Sequence, residues 1–273
     1  MIPRLTRRHL LSIRVVGIIT QMGTACTTKW IKKSASTIVI GKQKVQDIQA
    51  TRLGFLLARP KQKQAIEATS RGLQALGLTT KRDGLLYVPP TYQQKQPAPL
   101  VVILHGAGGD APGGLKLLQH LADADGLILL APASRQQTWD VISGEYGPDI
   151  ALIDAALEKV FSRYAIDTQR IAVGGFSDGA SYALSVGITN GNLFNHVIAF
   201  SPGFMAPTRQ QGSPRIFISH GTQDTVLPID SCSRQLVPQL QRAGYNVLYH
   251  EFNGSHTVPS PITQEAISWF TAK

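Results

Sequence analysis

The chain has 273 residues, 43% hydrophobic and 16% charged, which suits one large α/β domain and excludes both a disordered chain and two such domains. The formal charge of +10 is unevenly spread: residues 1–82 hold 16 Lys and Arg against two acids, Asp47 and Glu67, a net of +14, whereas residues 83–273 hold 11 against 15, a net of −4. A nucleic-acid footprint belongs on the folded domain, and that part is mildly acidic, so no nucleic-acid partner is expected.

The first 46 residues contain no Asp or Glu. Arg4, Arg7 and Arg8 precede an apolar stretch from Leu10 to Ile19, and Thr24-Ala25-Cys26 follows. A basic start, a short apolar run and small residues form an export signal, here residues 1–26. Thr6-Arg7-Arg8-His9-Leu10-Leu11-Ser12 resembles a twin-arginine export motif. Gly23-Thr24-Ala25-Cys26 is similar to a bacterial lipoprotein cleavage site, departing from it at Gly23, where an aliphatic residue is usual. Cleavage there would leave a lipidated Cys26 attached to a membrane. Arg14 interrupts the apolar run and rules out a good transmembrane helix of about 20 residues. An organellar transit peptide and a plain basic tail are the alternatives; the expectation is an exported protein. Residues 27–50 read as a basic linker and 51–273 as the folded domain. If Cys26 is removed or lipidated, Cys232 is single, and no Cys/His cluster suggests a metal.

Along the domain, Gly54–Ala58 and Leu85–Val88 read as short strands, Pro89-Pro90 closing the second. Leu100–Leu104 is continuously apolar, as a strand buried on both faces must be. Helical spacing follows over 112–124, then a strand over 127–130 and a helix over 149–164. Further strands are expected at 170–174, 196–200, 215–219 and 246–252, with helices at about 178–188, 230–243 and 261–271. This alternation predicts βαβ units, a mostly parallel sheet and helices on both of its faces. Only about 14 residues join Phe200 to Arg215, too few for a large lid domain.

The chemistry starts at Gly174-Gly175-Phe176-Ser177-Asp178-Gly179-Ala180. It is a G-x-S-x-G motif between a predicted strand and a predicted helix, where the two glycines permit a strained turn that exposes Ser177 Oγ as a nucleophile. Asp224 in His220-Gly221-Thr222-Gln223-Asp224 and His256 in Asn253-Gly254-Ser255-His256 each follow a predicted strand. They come in the order serine, acid, histidine that such a fold requires. Asp230 reads instead as a helix N-cap, His250 as a strand residue that packs or faces solvent, and His220 as structural. Donors for a developing oxyanion are the N–H of Asp178 and an N–H in the loop His105-Gly106-Ala107-Gly108-Gly109, with Ala107 the choice. That loop lacks the Lys-Ser/Thr of a phosphate-binding loop and the spacing of a dinucleotide site. Trp139, Tyr146, Phe204 and Met205 follow strand ends and are candidates to line a substrate pocket.

Leu104-His105-Gly106-Ala107-Gly108-Gly109, Gly175-Phe176-Ser177-Asp178-Gly179, His220-Gly221-Thr222-Gln223-Asp224 and Gly254-Ser255-His256 together resemble the phospholipase/carboxylesterase family of α/β-hydrolases. That family includes acyl-protein thioesterases and esterases related to polyhydroxyalkanoate depolymerases. The resemblance spans roughly residues 83–273 and implies an α/β-hydrolase fold without a large lid. It further implies serine esterase or thioesterase activity on small or polymeric esters, with no cofactor and with Ser177, Asp224 and His256 as the triad. Ala180 stands where many acyl-protein thioesterases have a further glycine, which argues against that branch. A serine peptidase of the same fold and a non-catalytic binding protein on this fold are the competing readings.

Overall fold

The run Leu100–Leu104 has no polar residue because it sits at the middle of a sheet covered on both faces. In the computed structural model, which describes residues 46–60 and 70–272, β3 (Ala98–Leu104) is buried along its whole length. The other strands are β1 (Gly72–Ala75), β2 (Leu85–Val88), β4 (Ile128–Ala131), β5 (Ile166–Phe176), β6 (His196–Phe200), β7 (Arg215–Gly221) and β8 (Val247–Phe252). They form one eight-stranded sheet in the order β1-β2-β4-β3-β5-β6-β7-β8. Only β2 runs against the rest, pairing antiparallel with β1 and β4. All remaining pairs are parallel, as the strand–helix alternation predicts.

Successive residues of β3 serve opposite faces, as the period of two requires. Leu100, Val102 and Leu104 join one core and Val101 and Ile103 the other. Against the first face pack α5 (Pro148–Arg163), through Ile150, Ile153, Leu157, Val160 and Phe161, then α6 (Asp178–Thr189) and α7 (Ser233–Arg242). Against the second lie α2 (Ala111–Lys116), α3 (Gln119–Asp125) and α8 (Ser260–Thr271). The short α4 (Asp140–Ser143) lies in the connection between β4 and α5.

Several boundaries differ from the sequence expectation, each for a local reason. The helix expected over 112–124 is two helices, because the backbone leaves helical geometry at Leu118 (φ −125°, ψ −7°), where Leu115 and Leu118 both bury. Gly126 ends the second with φ of +63°. Residues 54–58 are not a strand. Their backbone groups go to side chains: Leu57 and Ala58 N–H to Asp154 Oδ1 (2.7 and 2.8 Å), Leu56 N–H to Asn190 Oδ1 (2.8 Å), and Gly54 O to Asn190 Nδ2 (2.8 Å). Two helices thus satisfy the groups that a neighbouring strand would have taken. Residues 46–52, whose first part reads as linker, are helical (α1). Asp230 is not a cap: α7 begins after Cys232, and Asp230 instead pairs with Arg234 Nη1 at 2.7 Å. The export signal, Cys26 and the linker up to residue 45 lie outside the described residues.

Between β6 and β7, residues 201–214 contain no helix and only an isolated bridge at Gly212. No lid domain is inserted there.

Candidate active site

Ser177 sits between β5 and α6 with φ of +58° and ψ of −121°, a left-handed conformation that costs a side-chain-bearing residue about 1–3 kcal/mol. The surroundings hold it there. Its N–H donates to Phe200 O (2.9 Å) and its carbonyl accepts from Ala180 and Ser181 N–H. The flanking glycines are steric necessities: a Cβ on Gly175 would stand 2.4 Å from Gly179 C and O, and one on Gly179 would stand 2.4 Å from Leu104 O. The turn therefore closes against the end of β3, and the serine hydroxyl is lifted above the C-terminal edge of the sheet.

The structure brings Asp224 and His256 to this hydroxyl. His256 Nε2 lies 2.9 Å from Ser177 Oγ, and His256 Nδ1 lies 2.5 Å from Asp224 Oδ2. An ionised carboxylate only accepts, so Nδ1 carries the proton and Nε2 presents its lone pair to the serine O–H. The loops that carry acid and histidine are tied together by Thr222 N–H to Phe252 O (2.8 Å) and Gln223 N–H to Gly254 O (2.9 Å). Asp224 Oδ1 accepts Val226 and Leu227 N–H (2.9 and 2.8 Å). Burial by itself pushes this carboxyl up, but the contacts with His256, Leu227 and Val226 outweigh it and hold the carboxyl below its ordinary range. The Phe176 ring packs on the His256 imidazole with centroids 4.6 Å apart.

The glycine-rich loop after β3 lies beside the serine: a Cβ on Gly106 would fall 3.4 Å from Ser177 Cβ. Gly108 N–H donates to Gln137 O and Gly109 N–H to Gly106 O, whereas the N–H groups of Ala107 and Asp178 have no protein acceptor among the described residues. His105 anchors the loop from beneath. Its Nε2 accepts Ser134 N–H (3.0 Å), so Nδ1 carries the proton and donates to Gly106 O (2.7 Å). Burial lowers the pKa of this imidazole, consistent with a neutral ring. Arg82 binds the same loop from β2's side, donating to Gly109 O (2.7 Å) and Ser134 O (2.6 Å). Thr138 Oγ1 donates to Asp178 Oδ2 (2.6 Å), so the Asp178 side chain is engaged away from the serine.

Trp139 does not line a pocket. It is fully buried, stacked between His105 (4.8 Å) and Tyr182 (5.1 Å), and its Nε1 donates to His105 O (2.9 Å). It supports the glycine-rich loop. Tyr146 is buried as well, with its hydroxyl on Ala206 O (2.9 Å). Phe204 and Met205 are half-buried in the segment after β6, and Met205 leans on the core. That segment is held by three hydroxyls spaced four residues apart on α6. Ser181 Oγ accepts Gly203 N–H (2.9 Å), Ser185 Oγ accepts Ala206 N–H (2.8 Å), and Thr189 Oγ1 accepts Thr208 N–H (3.2 Å). Each also donates to the carbonyl four residues back, Ser181 to Ser177 O itself. The i, i+4 spacing was visible in the sequence, but nothing there said that a loop would run alongside it.

His220 is buried beneath Asp224, and His250 pairs with Glu265 (2.9 Å). Asp140 and Asp149 bind the connection that carries Trp139: Asp149 accepts Arg135 and Asp140 N–H, and Asp140 accepts Gly147 and Asp149 N–H. Among the described residues, no three His, Cys, Asp or Glu side chains cluster as metal ligands.

The family model described as phospholipase/carboxylesterase matches residues 130–272, just over half of the chain. The chain belongs to the phospholipase/carboxylesterase family. Within reach of this family is a probable feruloyl esterase C of Aspergillus oryzae, 30% identical over 158 residues, 55% of this chain and 57% of that protein. A bifunctional acetylxylan esterase/xylanase of Neocallimastix patriciarum is 28% identical over 54% of this chain and 22% of its own length. The chain thus spans little more than half the length of the feruloyl esterase it matches. A solved structure of a ferulic acid esterase from Anaeromyces mucronatus in complex with ferulic acid shares the fold, with a TM-score of 0.55 at 18% identity over 78% of this chain and 93% of that one.

Proposed function

We propose that the protein is a serine hydrolase that cleaves carboxylic esters through an acyl-enzyme on Ser177. The observation that carries the reading is the continuous contact from Ser177 Oγ through His256 to Asp224, with two unpaired backbone N–H groups beside the hydroxyl. His256 Nε2 takes the Ser177 proton as Oγ attacks the ester carbonyl. The tetrahedral oxyanion is received by the N–H groups of Ala107 and Asp178, preorganised by His105, Trp139 and the start of α6. Collapse expels the alcohol, which leaves with the proton from His256 Nε2. Water, deprotonated by the same nitrogen, then attacks the acyl-enzyme and releases the carboxylic acid. Asp224 keeps the imidazole in its Nδ1–H tautomer and offsets its charge while it is protonated.

The substrate class favoured is an ester of an aromatic acid carried on a bulky or polymeric alcohol. The relative named for feruloyl esters supports the aromatic acid; the one named for acetylxylan esters and a site with no domain inserted between β6 and β7 support the bulky alcohol. We assign Phe204 and Met205, half-buried in the segment after β6, to the wall against which the acyl group would lie. The acid-free N-terminal stretch with Arg7, Arg8 and Cys26 supports an exported enzyme, anchored where Cys26 is lipidated. The test is turnover of methyl ferulate, nitrophenyl acetate and a peptide amide by the wild type and Ser177→Ala. Ester hydrolysis should fall by a factor of about 10⁴–10⁶ in the variant, with the amide untouched by either. Ester turnover that survives in the variant would overturn the mechanism, and amide cleavage by the wild type would favour a peptidase.

A further inference from the structure

Asp224 faces a second imidazole besides that of His256. His220, in β7 four residues before it, has no exposed side-chain surface. Its Nε2 stands 2.8 Å from Leu227 O and 3.2 Å from Asp224 Oδ2, the same oxygen that contacts His256. Both neighbours of Nε2 only accept, so this nitrogen must carry the proton. Nδ1 is then an acceptor, and it meets Ser233 Oγ at 2.7 Å, where the buried hydroxyl at the first turn of α7 can donate. Two independent contacts thus fix one tautomer. Burial lowers the pKa of His220, so the ring stays neutral.

Other charged groups around this imidazole are already engaged. Glu251, its register partner on β8, takes Arg234 Nε and Nη2 (2.9 and 2.6 Å) and Tyr249 O–H (2.9 Å), and Arg234 also reaches Asp230. What faces His220 from the site is therefore Asp224 and, beyond it, His256.

We infer that His220 is a positioning residue that sets the strength of the Asp224–His256 pair, and that Ser233 locks it in the required tautomer. The inference rests on the serine-hydrolase reading above. With Oδ1 held by Val226 and Leu227 N–H, the carboxylate cannot rotate away; Oδ2 accepts from His256, and the His220 N–H, which donates to Leu227 O, lies beside it with Nε2 at 3.2 Å. The donor from His220 draws negative charge from Oδ2 and so limits how strongly the carboxylate stabilises the His256 imidazolium. Without it the carboxylate would hold the His256 Nδ1–H more tightly. A flipped tautomer would turn a lone pair on Asp224 and reverse the effect, which is why a buried hydroxyl stands behind the ring.

The experiment compares full-length wild type, His220→Phe, His220→Gln and Ser233→Ala. It reads kcat/KM for nitrophenyl acetate against pH and the downfield proton resonance of the His256 Nδ1–H. In His220→Phe the acid-side half-point should rise by about 0.5 pH unit and the resonance should move further downfield, because the second N–H dipole beside Oδ2 is then gone. Gln restores an N–H toward Oδ2 and an oxygen toward Ser233, so His220→Gln should return both readouts toward wild type. Ser233→Ala should shift them in the direction of His220→Phe, less far. If His220→Phe does not fold, Ser233→Ala carries the test. A wild-type half-point and resonance in either folded variant would overturn the inference, as would a Gln variant no closer to wild type than Phe. Failure of the underlying reading shows separately, as ester turnover that survives in Ser177→Ala.

Discussion

Asp149 is the group whose titration should be easiest to see in the stability of this fold. It opens α5 with 1% of its surface exposed and accepts N–H groups from Arg135 (2.5 Å) and Asp140 (2.8 Å). Burial, countered only in part by those hydrogen bonds, raises its pKa from 3.8 to about 6. A carboxyl whose pKa is higher in the folded chain binds a proton that the unfolded chain has released. Its contribution to stability is therefore full below about pH 4 and is lost as pH rises through about 6. A shift of about two units corresponds to roughly 3 kcal/mol. Asp149→Asn removes that titration. It also turns one amide N–H toward a backbone N–H, a fixed penalty of about 1–3 kcal/mol at every pH. The wild type should then exceed the variant in stability by about 1–3 kcal/mol near pH 4, and this advantage should fall by roughly 3 kcal/mol by about pH 7, to parity or below. Asp154, also raised by burial, and Asp224, held low, are common to both proteins and cancel in the difference. Urea unfolding followed by tryptophan fluorescence at about pH 4, 5, 6 and 7 measures this. A difference that stays constant within about 0.5 kcal/mol would refute the assignment of a raised pKa to this buried carboxyl.

Two further outcomes follow from the packing around Ser177. Ser185→Ala strips Ala206 N–H of its acceptor and frees the segment that carries Phe204 and Met205, so KM for aryl esters should rise several-fold while kcat changes little. Steady-state kinetics on esters of increasing acyl size read this, and a loss confined to kcat would contradict the role of the hydroxyl series. Gly175→Ala forces a methyl to within 2.4 Å of Gly179 backbone atoms, with Leu104 O at 2.9 Å, and should abolish activity and lower the melting temperature by several degrees. Activity near the wild-type level in that variant would mean that the turn is looser than described.

Much of this architecture could be read from the chain because its signals are local. Leu100–Leu104, the spacing of Ile150, Ile153, Leu157, Val160 and Phe161, and the strand before Ser177 each announce an element by periodicity alone. β5 was expected to begin at 170 because Asp167, Thr168 and Gln169 are polar; they belong to an extension where the burial of the strand lapses. β1 has no local pattern to mark it, being a four-residue edge strand with only half its residues covered. Residues 54–58 looked like a strand by composition, and only the positions of Asp154 and Asn190, about 100 or more residues away, make them otherwise. In the candidate site, the approach of Asp224 and His256 to Ser177 is anticipated by motif and order. His105 and Thr138 were not assigned supporting roles, and Trp139 was assigned to the pocket, because what a side chain does beneath a loop depends on which other loop crosses it. His220 reads from the sequence only as structural; its burial and its contact with Asp224 depend on the bend between β7 and α7.

The central claim is that Ser177 Oγ forms a covalent acyl intermediate. Rapid acid quench of the enzyme with excess nitrophenyl ester, followed by intact-mass and peptide mass spectrometry, tests it directly. The account predicts one acyl group per chain on the peptide that contains Ser177, absent from Ser177→Ala and accumulating before steady state. An acyl group on another residue, or ester turnover with no adduct on Ser177 in a variant slowed at His256, would contradict it.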